Sequence, residues 1–257
     1  MAKYAIITGG TKGIGKEVAV CLAKAGYDLL LLYGPDTDEE VDAAESACSC
    51  YGVNVTSLHA DISNRQSVDV ISRYLNVQSS KFKVQSSKFK VQSLKFIDAV
   101  VFNAGLTYRE TFEKIEPAEW ERIFFANVHF PVFLLQQLVG MIKPGGSVVF
   151  TGSLMGIEPH ATSLSYGVTK SAVHALTKNL VKFLTPYNIR VNAVAPGFVE
   201  TEWQKNKPPE IRRNIEQKIA LGRFCAPEEL AEVYKMLIEN TYLNGEIIVI
   251  DGGYSYK

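Results

Sequence analysis

Tyr4-Ala5-Ile6-Ile7-Thr8-Gly9-Gly10-Thr11-Lys12-Gly13-Ile14-Gly15 opens as a short apolar run and closes as a glycine-rich turn. Immediately after it, Val18, Ala19, Leu22 and Ala23 recur at helical spacing, and Gly26 ends the pattern. Strand, glycine turn and helix in that order make a phosphate cradle. The glycines let the backbone approach a pyrophosphate, and the helix N-terminus offers N–H groups with no partner inside the helix. Gly9, Gly13 and Gly15 do not follow the one-three-six spacing of the usual dinucleotide fingerprint. The loop's place at the first strand–helix junction therefore carries more weight than its glycine count.

Outward from this unit, the pattern repeats. Leu29–Tyr33 is a continuous apolar run of the kind buried on both faces of a sheet. Further strands are predicted at Val53–His59, Asp98–Phe102, Ser147–Thr151, Ile189–Val194 and Glu246–Ile250. Helices are predicted at Asp38–Tyr51, with Val41, Ala44 and Ala47 inward, at Arg65–Leu75 and at Pro227–Ile238. A long helix opening at Pro117–Phe125 carries Asn127. Strands alternating with helices predict an α/β fold: one domain over residues 1–257 with a Rossmann-type doubly wound parallel sheet of about seven strands, helices on both faces and right-handed crossovers. Ligands then bind beyond the carboxyl ends of the strands. Asp61-Ile62, Asn103-Ala104-Gly105, Gly152-Ser153 and Pro196-Gly197 all lie at such ends. From there Asp61 can meet an adenine ring, or simply close a turn.

The 257 residues carry 27 Lys and Arg against 27 Asp and Glu, a balance that implies no broad basic surface for nucleic acid. No apolar run is long enough to span a bilayer, and the chain passes from Lys3 straight into its first strand without a signal-peptide pattern. Cys48 and Cys50 are too close for a usual zinc pair, and Cys21 and Cys225 have no partner spacing. Reduced thiols, a cytoplasmic location and no metal site are expected. Residues 77–96 hold a seven-residue repeat, VQSSKFK twice and then VQSLKF. Its apolar positions suit neither a coiled coil nor a solenoid, so a basic surface insertion of short extended pieces and turns is expected, mobile or loosely ordered.

The end of the second strand bears on cofactor choice. A carboxylate there accepts hydrogen bonds from the ribose hydroxyls of NAD. This chain has Tyr33-Gly34-Pro35, with the first acid, Asp36, beyond the proline, while Lys12 sits in the glycine loop near where a 2′-phosphate would lie. A cation without a facing carboxylate favours NADP(H).

Tyr166 and Lys170 stand four residues apart, on one face of a helix whose apolar side is expected to include Val173, Leu176, Leu180, Val181 and Phe183. An ammonium beside a phenol favours the phenolate and lowers its pKa toward neutrality, which suits proton exchange with a carbonyl or alcohol oxygen. The pair alone is equally an ordinary helix contact. Together with the rest it resembles the short-chain dehydrogenase/reductase family over nearly the whole chain. The loop Thr8–Gly15 matches that family's nucleotide motif. Asn103-Ala104-Gly105 matches its Asn-Asn-Ala-Gly motif, with Phe102 in place of the first Asn.

The resemblance implies a catalytic tetrad of Asn127, Ser153, Tyr166 and Lys170. It implies cofactor contacts from Gly9, Thr11, Lys12, Gly13, Ile14, Gly15, Tyr33, Asp61, Ile62, Asn103, Ala104, Gly105, Tyr166 and Lys170. Pro196, Gly197, Val199 and Thr201 look like the segment that holds the nicotinamide carboxamide. Leu221–Phe224, Pro227–Glu229 and Gly245–Gly253 are most similar to the 3-oxoacyl-(acyl carrier protein) reductases, which implies a 3-oxoacyl thioester substrate, an acyl carrier protein partner, and a homotetramer built through the Asn127 and Tyr166 helices. Lys182 stands where that group carries one of the arginines that receive the carrier protein, and Tyr108 precedes Arg109 where Thr-Arg is usual. The implied chemistry is reduction of a ketone by NADPH. Ser153 holds the carbonyl, Tyr166 protonates the alkoxide, Lys170 tunes Tyr166 and holds the ribose, and Asn127 positions a water. Another small ketone or alcohol, such as a sugar or steroid, is the alternative substrate, with residues 198–220 covering it. A nucleotide-binding scaffold without activity is the alternative from another class.

Overall fold

In a computed structural model, which describes residues 3–84, 96–205 and 207–257, the first unit forms as its pattern predicts. Strand β1 (Lys3–Thr8) passes through the glycine turn into helix α1 (Gly13–Lys24) and back to β2 (Tyr27–Tyr33). Helix α2 (Asp38–Ser49) leads to β3 (Val55–His59), and α3 (Gln66–Val84) to β4 (Ile97–Phe102). Next come α4 (Pro117–Phe124), a π-helical turn (Phe125–His129) and α5 (Phe130–Leu138), then β5 (Ile142–Thr151), α6 (Leu164–Leu184) and β6 (Arg190–Pro196). The short α7 (Glu202–Lys205), α8 (Pro209–Lys218), α9 (Pro227–Glu239) and β7 (Ile247–Ile250) complete the chain.

The seven strands form one sheet in the order β3-β2-β1-β4-β5-β6-β7, with every neighbouring pair parallel. Successive strand side chains point to opposite faces, and here both faces are buried. Ile6, Leu30, Leu32, Val100 and Phe150 meet α3, α5 and α6 on one side. Ala5, Ile7, Leu29, Leu31 and Val101 meet α1, α2 and α9 on the other. The order reverses between β1 and β4, so the chain leaves these two strands in opposite directions and opens a crevice at their carboxyl ends.

Two expectations change. The first repeat unit, residues 77–83, is not extended: it continues α3, which runs to Val84. Elongating an existing helix costs far less than starting one, so a polar stretch can be carried along. The remainder of the repeat, 85–95, lies outside the described residues. The long helix carrying Asn127 forms as expected, running from Pro117 to Leu138 with a π turn at Phe125–His129 between α4 and α5. Phe183 is 71% exposed, while Val173 is buried and Leu176, Leu180 and Val181 pack against the core.

Candidate active site

The glycine loop is held from below. Asn103, just past β4, donates from Nδ2 to the carbonyls of Thr8 and Gly9, each at 3.2 Å, and the Thr8 hydroxyl accepts the backbone N–H groups of Asn103 and Ala104. Gly15 packs so tightly that a Cβ there would stand 1.9 Å from the Gly9 oxygen, while Gly9 and Gly13 have φ of +64° and +54°. No side chain caps α1, and no acid sits in its first turn. An uncapped helix N-terminus over a glycine cradle suits a dinucleotide pyrophosphate, with Gly13 and Ile14 at its edge. Thr201, from the segment after β6, approaches Gly13 to 3.6 Å from its missing Cβ, so the 196–201 segment closes over the same loop. Val199 in that segment is buried and bridges to Cys225, and Gly197 has no room for a side chain beside Asp251.

The end of β2 corrects the cofactor argument. Asp36, expected out of reach beyond Pro35, turns back into the loop, where its carboxylate is 3% exposed, pairs with the Lys12 ammonium and accepts the Thr11 hydroxyl. Lys12 therefore does face a carboxylate. Tyr33 is partly buried and packs edge-on against His59, with ring centroids 5.5 Å apart. Asp61 accepts the backbone and hydroxyl of Ser63, which is the turn-forming use of that residue, and Ile62 packs on the core.

Ser163 begins α6. Its hydroxyl accepts the Tyr166 N–H at 3.4 Å and itself donates to the Tyr108 carbonyl at 2.5 Å, which fixes Tyr166 in the helix's first turn. Ser153 follows β5. Its oxygen accepts the Met155 N–H at 3.1 Å, and its hydroxyl is hydrogen-bonded to the Tyr166 phenol. Lys170 is 4% exposed, donates to the Thr151 carbonyl at 2.6 Å and lies 5.4 Å from the centre of the Tyr166 ring.

Burial governs both titrations. It pushes the Tyr166 phenol above its ordinary value, opposed by the Ser153 hydrogen bond, and it pushes Lys170 down to about 8. The expected lowering of the phenol by the ammonium is not met: burial outweighs the opposing Ser153 hydrogen bond. Asn127, in the π turn, is 3% exposed. Its amide exchanges two 2.8 Å bonds with the backbone of Leu106 and donates to Thr169, and both its oxygen and the Lys170 amine lie within 3.4 Å of where a Gly105 Cβ would stand. All four tetrad residues are thus brought together.

Ser153 and Tyr166 line a cavity of about 540 Å³ together with Phe198, Tyr254, and Ile211 and Ile215 of α8. It reaches Ile14 and Thr201, so the cradle and the cavity are continuous. The segment expected to cover the substrate, 198–220, lines the cavity through Phe198, Ile211 and Ile215. Sequence reasoning missed Thr151, whose carbonyl binds Lys170 and whose hydroxyl is 2.7 Å from the buried Tyr234 hydroxyl. It also missed His174, which continues the stripe of Tyr166 and Lys170 at the same spacing and could have been found that way. Among the described residues no helix is long and apolar enough to cross a membrane, and no group of His, Cys, Asp and Glu is arranged to hold a metal.

A doubly wound parallel sheet, a dinucleotide cradle at its switch point and a serine–tyrosine–lysine cluster beside it define an oxidoreductase that binds a nicotinamide cofactor and acts on CH–OH groups. A sequence profile described as "Enoyl-(Acyl carrier protein) reductase" matches residues 9–255. The chain is 32% identical over 258 residues to "Uncharacterized oxidoreductase YmfI" of Bacillus subtilis, covering 99% of each. It is 31% identical to the "3-oxoacyl-[acyl-carrier-protein] reductase FabG" of Aquifex aeolicus, covering 98% of this chain and 96% of that one. A short-chain dehydrogenase/reductase from Serratia marcescens superposes with a TM-score of 0.86 at 27% identity, covering 98% of both chains. The protein belongs to the short-chain dehydrogenase/reductase family.

Proposed function

We propose that this enzyme reduces a ketone to a secondary alcohol, with a 3-oxoacyl thioester as its substrate class. The observation that carries the reaction is the hydrogen-bonded Ser153 and Tyr166 hydroxyls lining a cavity that runs into the glycine cradle. The thioester reading is supported by the similarity to a 3-oxoacyl-[acyl-carrier-protein] reductase and by the apolar Ile211, Ile215 and Phe198 lining the same cavity. A carrier protein is the corresponding partner. Leu164 and Val168, exposed on α6, support the homotetramer expected through that helix. A cytoplasmic enzyme is consistent with the reading.

The Gly9–Gly15 loop and the N-terminus of α1 would hold the pyrophosphate of a nicotinamide cofactor, which in its reduced form would supply hydride to the carbonyl carbon. The remaining work belongs to the protein. Ser153 accepts the Met155 N–H and shares its hydroxyl proton with Tyr166, so a carbonyl oxygen placed between the two hydroxyls would receive both donors. Tyr166, kept neutral by burial, donates its proton to that oxygen as negative charge builds. Lys170 holds a buried positive charge behind the phenol at neutral pH. Asn127 has its amide taken by Leu106 and Thr169, which supports a role in shaping the 104–107 loop in preference to binding water through the side chain. The Lys12–Asp36 pair is neutral as a whole. A ribose 2′-hydroxyl would find an acceptor there, while a 2′-phosphate would find a cation already engaged. This supports use of NAD(H) alongside the NADP(H) expected from Lys12 alone, with kcat/KM for the two within about tenfold of each other.

The test is a panel of ketones and acetoacetyl thioesters read by loss of NADPH or NADH absorbance. Tyr166→Phe should lower turnover by at least about 10²-fold while cofactor binding persists. Wild-type turnover by the Phe variant refutes the acid assignment.

A further inference from the structure

His174 is buried against the segment that carries Ser153, and the chemistry above does not use it. It follows Tyr166 and Lys170 on one stripe of α6, each four residues from the last, so the helix face that presents the acid also presents this imidazole to the end of β5. Its Nε2 accepts the Ser153 N–H at 3.4 Å. A neutral ring whose Nε2 accepts carries its proton on Nδ1, and the ring makes its second hydrogen bond with the backbone of Gly156. Burial and then the Lys170 ammonium hold the imidazole neutral, pushing it down to about 4. The contact is also steric. A Cβ on Gly152 would stand 2.1 Å from His174 Nε2, and one on Gly156 would stand 3.0 Å from its Cε1. The ring therefore touches the backbone before, at and after the serine. Ser171, on the same helix, adds a 2.7 Å bond to the Gly156 carbonyl.

We infer that His174 is a positioning residue: it fixes the backbone on both sides of Ser153 and so aims the serine hydroxyl at Tyr166 and the substrate oxygen. An apolar side chain of similar size would fill the space, yet leave the buried Ser153 N–H without its acceptor. The serine segment could then turn, and a small misplacement of a donor is costly in rate. The inference rests on the reductase reading, so its test has one arm that does not depend on turnover.

In the first arm, His174→Leu, Ser153→Ala and the double variant are assayed with an acetoacetyl thioester. His174→Leu should lower kcat about tenfold with the cofactor KM unchanged. His174→Gln, which keeps an acceptor and a donor, should recover to within about threefold. In the Ser153→Ala background, His174→Leu should cost less than about twofold more, because its effect runs through the serine. Should His174→Leu fail to fold, His174→Asn, too short to span both partners, replaces it in the cycle. The second arm is amide hydrogen exchange, in which the Ser153 N–H should exchange at least about tenfold faster in the Leu variant. Full activity in His174→Leu, an undiminished loss in the Ser153→Ala background, or unchanged Ser153 exchange each overturns the inference. If the wild type reduces no ketone, the reductase reading has failed, and the exchange arm alone decides whether His174 holds the serine segment.

Discussion

Lys170→Met should make the protein relatively more stable at neutral pH than at alkaline pH. Lys170 is 4% exposed, and burial lowers it from an ordinary value of 10.5 to about 8. Below pH 8 both the folded and unfolded chains hold this proton, and the fold carries the full cost of a buried ammonium. Between about 8 and 10.5 the unfolded chain still binds the proton while the folded chain has released it. The unfolded state then holds more protons, and stability rises with pH. The shift is worth about 3 kcal/mol in total, of which about 2 kcal/mol is recovered between pH 7 and pH 9.5. The lost hydrogen bond to the Thr151 carbonyl shifts the variant's stability by an amount that a neutral amine would also have supplied, so it largely cancels from the pH difference. The assay is urea unfolding of both proteins at pH 7 and 9.5, followed by circular dichroism at one protein concentration and ionic strength. The wild type should gain about 2 kcal/mol relative to Lys170→Met over that interval. Parallel pH dependences, or a wild type that loses ground as pH rises, would refute the reasoning and mean that the fold favours the ammonium.

Asp36→Asn removes the carboxylate that holds Lys12 and frees that ammonium for a 2′-phosphate. The ratio of kcat/KM for NADPH to that for NADH should rise at least about tenfold, and an unchanged ratio would remove Asp36 from the ribose site. Gly15→Ala drives a Cβ to 1.9 Å from the Gly9 oxygen and 2.5 Å from the Asn103 amide, neither of which can withdraw without moving the loop. It should cost about 1–3 kcal/mol and weaken dinucleotide binding more than about tenfold, measured by urea unfolding and cofactor fluorescence. Gly34→Ala, where a Cβ meets nothing within 4 Å, should change stability by less than about 0.5 kcal/mol in the same experiment.

The sheet was legible because its strands are buried on both faces, so runs such as Leu29–Leu32 declare themselves without alternation. The Tyr166–Lys170 pair was legible for a related reason: helical spacing puts the two on one face whatever the tertiary context, while Asn127 and Ser153 join them as a tetrad only through the family resemblance. What escaped depends on backbone direction or on environment. Asp36 returns to Lys12 through a turn at Gly34-Pro35, and no periodicity encodes which way a carboxylate points after such a turn. The π turn at Asn127 is a local change of hydrogen-bond register that residue type alone does not announce.

The titration of Tyr166 is the sharpest case. Proximity of an amine in sequence suggests an acidified phenol, yet the outcome is set by how much water the fold removes. With the phenol buried, Tyr166 stays protonated across neutral pH. A phenol that keeps its proton is the form that can protonate an alkoxide, whereas alcohol oxidation needs the phenolate to accept one. The same burial that defeats the sequence argument therefore keeps on Tyr166 the proton that the proposed reduction requires, and Ser153, whose hydrogen bond lowers the phenol, is the group that opposes it.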